Sequence, residues 1–256
     1  MHTPRHKTFR QRKRIVLFAC LVAIAGSSTA GAPSTWSNSL GMAFRPIPGG
    51  GGLLSVWETR VQDFTAFVDA TGHEASERFF YYQDRAWRMD TNDWRSPGFA
   101  QTPDHPVVGA SWADAMAFCD WLTLTERARG VISDVQRYRL PTEAEWSAAA
   151  AGTPNPYSLT NAANFHPVLN SDPFDITAPV GSFPPNPHGF YDMAGNVWEY
   201  CLDYATASQP FRVIRGGSWQ NWHERYVGVH ARGQCGEQVR ITLYGFRIAL
   251  VDDSPP

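Results

Sequence analysis

Lysine is nearly missing. Lys7 and Lys13 are the only two in 256 residues, so everything after position 13 carries its positive charge on arginine and histidine. Cysteine is scarce, with four in the chain, and only Cys119, Cys201 and Cys235 lie beyond residue 20. That is too few for a disulfide framework, and an odd count leaves at least one free thiol. Cys119 lies in an apolar helical pattern and Cys201 follows an aromatic run, so buried packing is expected for both. No repeat period and no low-complexity linker divides the chain, which excludes solenoid and linker-joined architectures. Its longest apolar run, from Ile15 to Ala25, is too short to span a bilayer comfortably.

That run has basic residues before it and small residues after it. Arg5, Lys7, Arg10, Arg12, Lys13 and Arg14 precede it, and Gly26 to Ala32 follow, with Ser28-Thr29-Ala30 suited to a signal peptidase. Residues 1–32 therefore read as a signal peptide, which implies a secreted or periplasmic protein with no membrane contact beyond that segment. Setting the six cations aside lowers the basic count from 22 to 16 against 24 acidic residues, a net charge of −8. A chain so acidic is a poor binder of nucleic acid or of an anionic membrane.

Aromatic residues are plentiful: ten Trp, nine Tyr and fifteen Phe can fill a sizeable core. Hydrophobic residues make up 43% and charged residues 18%, a globular balance. With 21 Gly and 19 Pro, loops and turns must wrap much of that core.

Three short helices are legible. Val61 to Ala70 puts Phe64, Phe67 and Val68 on one face, and Thr71-Gly72 stops it. Ser111 with Asp114 forms a capping box ahead of Ala115, Phe118 and Leu122, with Trp121 beside them. Thr142 with Glu145 forms another, ahead of Trp146, Ala149 and Ala150, with Gly152 as terminator. Strands are expected at Leu53–Trp57, Val107–Gly109, Arg212–Ile214 and Phe246–Val251. Residues 153–188, rich in Pro, Asn and Asp, should be irregular, and bound cations are one device that could pin so long a loop.

Five segments then occur in order. They are W-E-T-R-V-Q-D-F-T-A-F-V at Trp57–Val68, H-P-V-V-G-A-S-W at His105–Trp112, R-L-P-T-E-A-E-W at Arg139–Trp146, G-F-Y-D-M-A-G-N-V-W-E-Y at Gly189–Tyr200, and R-G-G-S-W at Arg215–Trp219 with a closing G-F-R at Gly245–Arg247. Together they resemble the formylglycine-generating enzyme, or sulfatase-modifying factor, family over residues 40–252. The resemblance implies an α+β, C-type lectin-like fold with little regular secondary structure and long ordered loops. It also implies calcium. Asn196, Val197 and Glu199 fit one of the family's sites, and Asn164, Phe165, Asp172 and Phe174 the other, the two Phe through carbonyls. The same polar residues could instead cap turns through their own hydrogen bonds.

The family's enzymes oxidise a sulfatase cysteine in Cys-x-Pro-x-Arg to formylglycine, using two cysteines shortly after G-G-S that bind copper(I), a soft ion that favours sulfur. Here residues 219–234 hold no cysteine. The lost positions fall on Asn221 or Trp222 and on Tyr226 or Val227. Cys235 is a single thiol, and His223 with His230 make a weak metal signal. Copper is therefore not expected. Of the family's cleft, Ser218, Trp198 and Arg232 survive. They could hold a peptide, a protein or a small polar ligand, or Trp198 could be core and Arg232 paired with a carboxylate.

Three functions follow. The first is a binding module on the enzyme scaffold, a pseudoenzyme. The second is a formylglycine-generating oxidase with a non-standard site built on Cys235, alone or with Cys201. The third is a lectin-like recognition protein with a diversified surface between Gln220 and Tyr244. The sulfoxide-synthase branch of the family needs a separate His-rich helical domain, which this sequence does not show.

Overall fold

A computed structural model describes residues 35–75, 79–83, 86–90, 93–155, 163–169 and 172–252. The expected signal segment lies outside the described residues. Among the described residues no helix is long and apolar enough to cross a membrane.

The three helices form where the sequence places them. Helix α1, Val61–Thr71, buries Phe64, Phe67 and Val68, and Gly72 closes it in the left-handed conformation with its N–H on the Val68 carbonyl. Helix α2, Trp112–Ala128, starts on a complete capping box. The Asp114 N–H donates to Ser111 Oγ, and Ser111 N–H donates back to the Asp114 carboxylate at 2.8 Å. Helix α3, Glu143–Ala150, repeats that device with Thr142 and Glu145, and Ala151 caps its end ahead of Gly152 at φ 75°. All three caps are local, so spacing alone reveals them.

Among the described residues twelve short strands make three sheets. In chain order they are β1 Trp36–Ser37, β2 Ala43–Pro46, β3 Leu53–Ser55, β4 Phe79–Gln83, β5 Ala86–Asp90, β6 Gln136–Arg139, β7 Trp198–Thr206, β8 Gln209–Arg215, β9 Arg232–Gly236, β10 Arg240–Ile241, β11 Tyr244–Gly245 and β12 Ala249–Asp252. One sheet runs β1-β2-β3-β12-β6, all antiparallel, and joins the first strands of the domain to its last. A second runs β11-β7-β8-β9, and a third β10-β4-β5.

Three strand expectations change. Val107–Gly109 is not a strand, because its N–H groups go to separate places: Val107 to Thr59 O and Gly109 to Ile241 O. Leu53–Trp57 ends at Ser55, and the Phe246–Val251 run becomes a strand only from Ala249. Before that point Phe246 O and Ile248 O accept single bonds from Thr59 and Ser55. Of residues 153–188, those described hold one 3-10 turn at Pro167–Leu169 and no strand. Elsewhere, interlocked aromatics fill the core between α1, α2 and the closing segment. Phe64 meets Trp94 edge-on at 5.0 Å and Phe67 at 5.4 Å, while Phe118 packs Phe246 at 5.7 Å.

Candidate functional site

A buried polar seam crosses the domain where the segment leading into α1, the 163–178 loop and the start of β7 meet. Asn196 is its hub. Its Nδ2 donates to Glu58 Oε1 at 3.1 Å and to Ala178 O at 3.3 Å, and its Oδ1 accepts from Asn164 Nδ2 at 3.1 Å and Ala178 N–H at 2.9 Å. All four hydrogen-bonding positions of that amide are used. The backbone is shaped for this. Asn196 and Asp192 take φ 58° and 56°, a region asparagine and aspartate tolerate, and Gly195 lies between them at φ 82°. A Cβ on Gly195 would stand 2.2 Å from Asn164 O, so only glycine fits.

Charge in the seam is unbalanced. Arg247, fully buried, forks onto Glu199 with Nε to Oε2 at 2.6 Å and Nη2 to Oε1 at 2.7 Å. Trp146 Nε1 donates to the same carboxylate at 2.7 Å. Glu58 and Asp192 share the field of that one guanidinium. Burial, with the neighbouring carboxylates Asp192 and Glu199, raises the Glu58 pKa well above the usual range. Burial pushes Asp192 up to about 6, although the Gly181 N–H and Arg247 pull the other way.

Asn164 Oδ1 has no partner, and Glu58 Oε2 and Asp192 Oδ1 meet no donor other than the carboxyl each presents to the other. Buried acceptors left unpaired are costly, and an all-oxygen set under net negative charge suits a hard cation such as calcium. The expected residues are thus partly regrouped. Asn164, Phe165, Asp172 and Phe174 do gather, with the Asp172 carboxylate accepting the Phe165 N–H at 3.2 Å and the Phe174 N–H at 2.8 Å. Asn164 and Asn196 are bonded to each other, and Glu199 is held by Arg247. Glu58 and Asp192, whose carboxyls face each other, were not expected. Both stand inside the quoted motifs, but nothing local marks them as neighbours. Among the described residues no three His, Cys, Asp or Glu groups converge as a metal cage, so a cation here would rest largely on amide and backbone oxygens.

The segment after Ser218 forms a separate, exposed feature. Ser218 is fully buried, and its N–H and Oγ both donate to Asn221 Oδ1, at 2.8 and 3.0 Å. Its hydroxyl is a turn cap rather than a cleft group. Trp198 is 5% exposed and belongs to the core, with the Tyr226 ring edge-on to it at 6.2 Å. Val227 is buried against Ala163, Phe165 and Ala194. Arg232 is exposed and grips Glu143, with Nε to Oε1 at 2.8 Å and Nη2 to Oε2 at 3.1 Å. Arg215 shares that carboxylate at 2.9 Å. Burial opposes ionisation of Glu143, but the two arginines outweigh it and hold the carboxyl below its usual range. Ser218, Trp198 and Arg232 therefore do not line one open cleft: two are buried and the third is tied down by Glu143.

All three described cysteines are free and buried. Burial pushes Cys235 up to about 12 and raises Cys119 and Cys201 well above the ordinary thiol range. Each stays a protonated thiol at neutral pH. At the sulfur-free tip, oxygen, imidazole and indole groups stand where a copper(I) site would need paired thiolates, so the residues do not fit that ion.

The sequence profile of the sulfatase-modifying factor enzyme 1-like domain matches residues 54–251. The chain belongs to this family. A formylglycine-generating enzyme from Streptomyces coelicolor is 33% identical over 246 residues, covering 73% of this chain and 74% of that protein. The inactive C-alpha-formylglycine-generating enzyme 2 of Bos taurus is 37% identical over 188 residues, covering 64% and 58%. The serine/threonine-protein kinase pkn1 of Chlamydia pneumoniae is 31% identical over 228 residues, and the chain spans only 32% of its length. Among solved structures, PvdO from Pseudomonas aeruginosa superposes with TM-score 0.65 at 21% identity, covering 86% of this chain and 98% of that one. Treponema denticola variable protein 1 superposes at 0.58 and 23%, covering 86% and 98%. These likenesses establish the mixed helix-and-sheet, C-type lectin-like family fold.

Proposed function

We propose that this protein is a noncatalytic member of the sulfatase-modifying factor family. It works outside the cytoplasm as a binding module for a peptide, a protein or a small polar ligand, on a scaffold steadied by calcium. One observation carries the reading. The segment that would supply paired thiolates contains none, and its side chains serve other ends: Asn221 caps Ser218 and Tyr226 covers Trp198. That segment offers solvent aromatic rings and charge of both signs. Trp222 is 58% exposed and Tyr226 37%, with the exposed His223, Glu224 and Arg225 between them. Tryptophan, tyrosine and arginine are the side chains that most often anchor protein contacts. Calcium would be held largely by amide and backbone oxygens, those of Asn164, Phe165 and Phe174, together with the Asp172 carboxylate. When bound it would supply the positive charge that Arg247 alone does not.

The likeness to the Streptomyces coelicolor enzyme over three quarters of both chains supports a competing oxidase reading. Cys235 would have to carry it, and that thiol is buried and protonated. Metal analysis of the purified protein, combined with a peptide-oxidation assay, separates the two. Calcium without copper and no aldehyde is expected. Aldehyde on a Cys-x-Pro-x-Arg peptide, abolished in Cys235→Ser, would establish the oxidase instead.

A further inference from the structure

From the core outward, four rings form a ladder at the tip. Trp198 lies 6.2 Å from Tyr226, Tyr226 6.3 Å from His223, and His223 6.0 Å from Trp222. Arg225 stands over the Tyr226 ring at 5.5 Å. Its guanidinium makes no ion pair among the described residues, whereas Arg139, Arg212, Arg232, Arg240 and Arg247 each hold a carboxylate. His223 Nδ1 accepts the Arg225 N–H at 3.3 Å, so the ring carries its proton on Nε2 as a donor. At the base of the tip a cavity of about 200 Å³ is lined by Ser147, Ala150, Gly152, Arg215, Val229 and His230.

We infer that this tip binds a carboxylate-bearing peptide segment of a partner protein. The carboxylate pairs with Arg225, and apolar side chains of the same segment lie on Trp222 and Tyr226. The inference rests on the binding-module reading and names its ligand class. A guanidinium stacked on an aromatic ring keeps its N–H edge free for a planar carboxylate. An anionic bilayer is a poorer occupant. Surface attachment needs a cluster of several basic residues, and between Trp222 and Tyr226 the tip offers one arginine.

The test uses the purified chain and a short peptide alternating glutamate with leucine. Its glutamine isostere and phosphatidylcholine vesicles with and without phosphatidylserine serve as comparisons, read by calorimetry and tryptophan fluorescence. The acidic peptide should bind about three- to fivefold more tightly than the isostere, the worth of one solvent-exposed ion pair. Arg225→Gln should erase that preference, and Arg129→Gln, on the exposed end of α2, should retain it. Equal binding of the isostere, no binding of either peptide, an unaffected Arg225→Gln variant, or equal uptake by phosphatidylserine vesicles would each overturn the inference. Aldehyde formation on a cysteine peptide would overturn the noncatalytic reading instead and leave a carboxylate preference standing.

Discussion

Asp192→Asn reverses its effect on stability with calcium, if the seam works as its geometry implies. In the folded chain the Asp192 carboxyl is pushed up to about 6, against an ordinary 3.8. A carboxyl raised in this way binds more protons folded than unfolded. Its favourable contribution is complete below about 3.8 and is lost as the pH climbs through about 6. With no cation bound, a rise of that size costs the folded chain roughly 3 kcal/mol of stability across the window. Asparagine removes the ionisation and keeps the shape. It tolerates the φ of 56°, its amide oxygen can still accept the Gly181 N–H that Asp192 holds at 2.6 Å, and its NH₂ can meet the Glu58 oxygen that faces it. In EDTA the variant should therefore be more stable than the wild type at pH 8, by up to about 3 kcal/mol, and nearly equal to it at pH 4. Calcium at about a hundred times its Kd should add about 2.7 kcal/mol to the wild type and less to the variant, narrowing or inverting the order. Urea unfolding followed by tryptophan fluorescence, with EDTA or calcium at each pH, reads all of this. A variant destabilised in EDTA equally at pH 8 and pH 4 would refute the electrostatic reasoning.

Gly195→Ala should cost about 2–4 kcal/mol in the same assay, since its Cβ would meet Asn164 O at 2.2 Å on a left-handed backbone; a neutral result would contradict the packing of the seam. Cys119, Cys201 and Cys235 should resist a thiol reagent at pH 8 until the protein is unfolded, and labelling of Cys235 in the native state would contradict its burial. Glu143→Gln should cost about 1 kcal/mol or less at neutral pH, because Arg232 is largely in solvent. That difference should vanish as the pH falls through the depressed folded-state pKa of Glu143, and a difference that grows in acid would be the contrary outcome.

What could be read from the sequence was what neighbours along the chain decide. Ser111 with Asp114 and Thr142 with Glu145 sit three residues apart, and the helices they start are where spacing puts them. The five ordered motifs named the family for the same reason, each being a contiguous run. The seam was not legible, because Glu58 meets Asn196 across 138 residues and Arg247 meets Glu199 across 48. Val107–Gly109 looked like a strand by composition, yet its bonds go singly to distant partners. Arg232 was open between cleft and ion pair until Glu143, 89 positions earlier, was placed beside it.

The most direct test of the central claim is mass spectrometry of a Cys-x-Pro-x-Arg peptide incubated with the purified protein, oxygen and copper(I). The expected result is an unchanged cysteine with and without copper, from a chain whose residues 219–234 hold no sulfur. A peptide carrying the formylglycine aldehyde would contradict it.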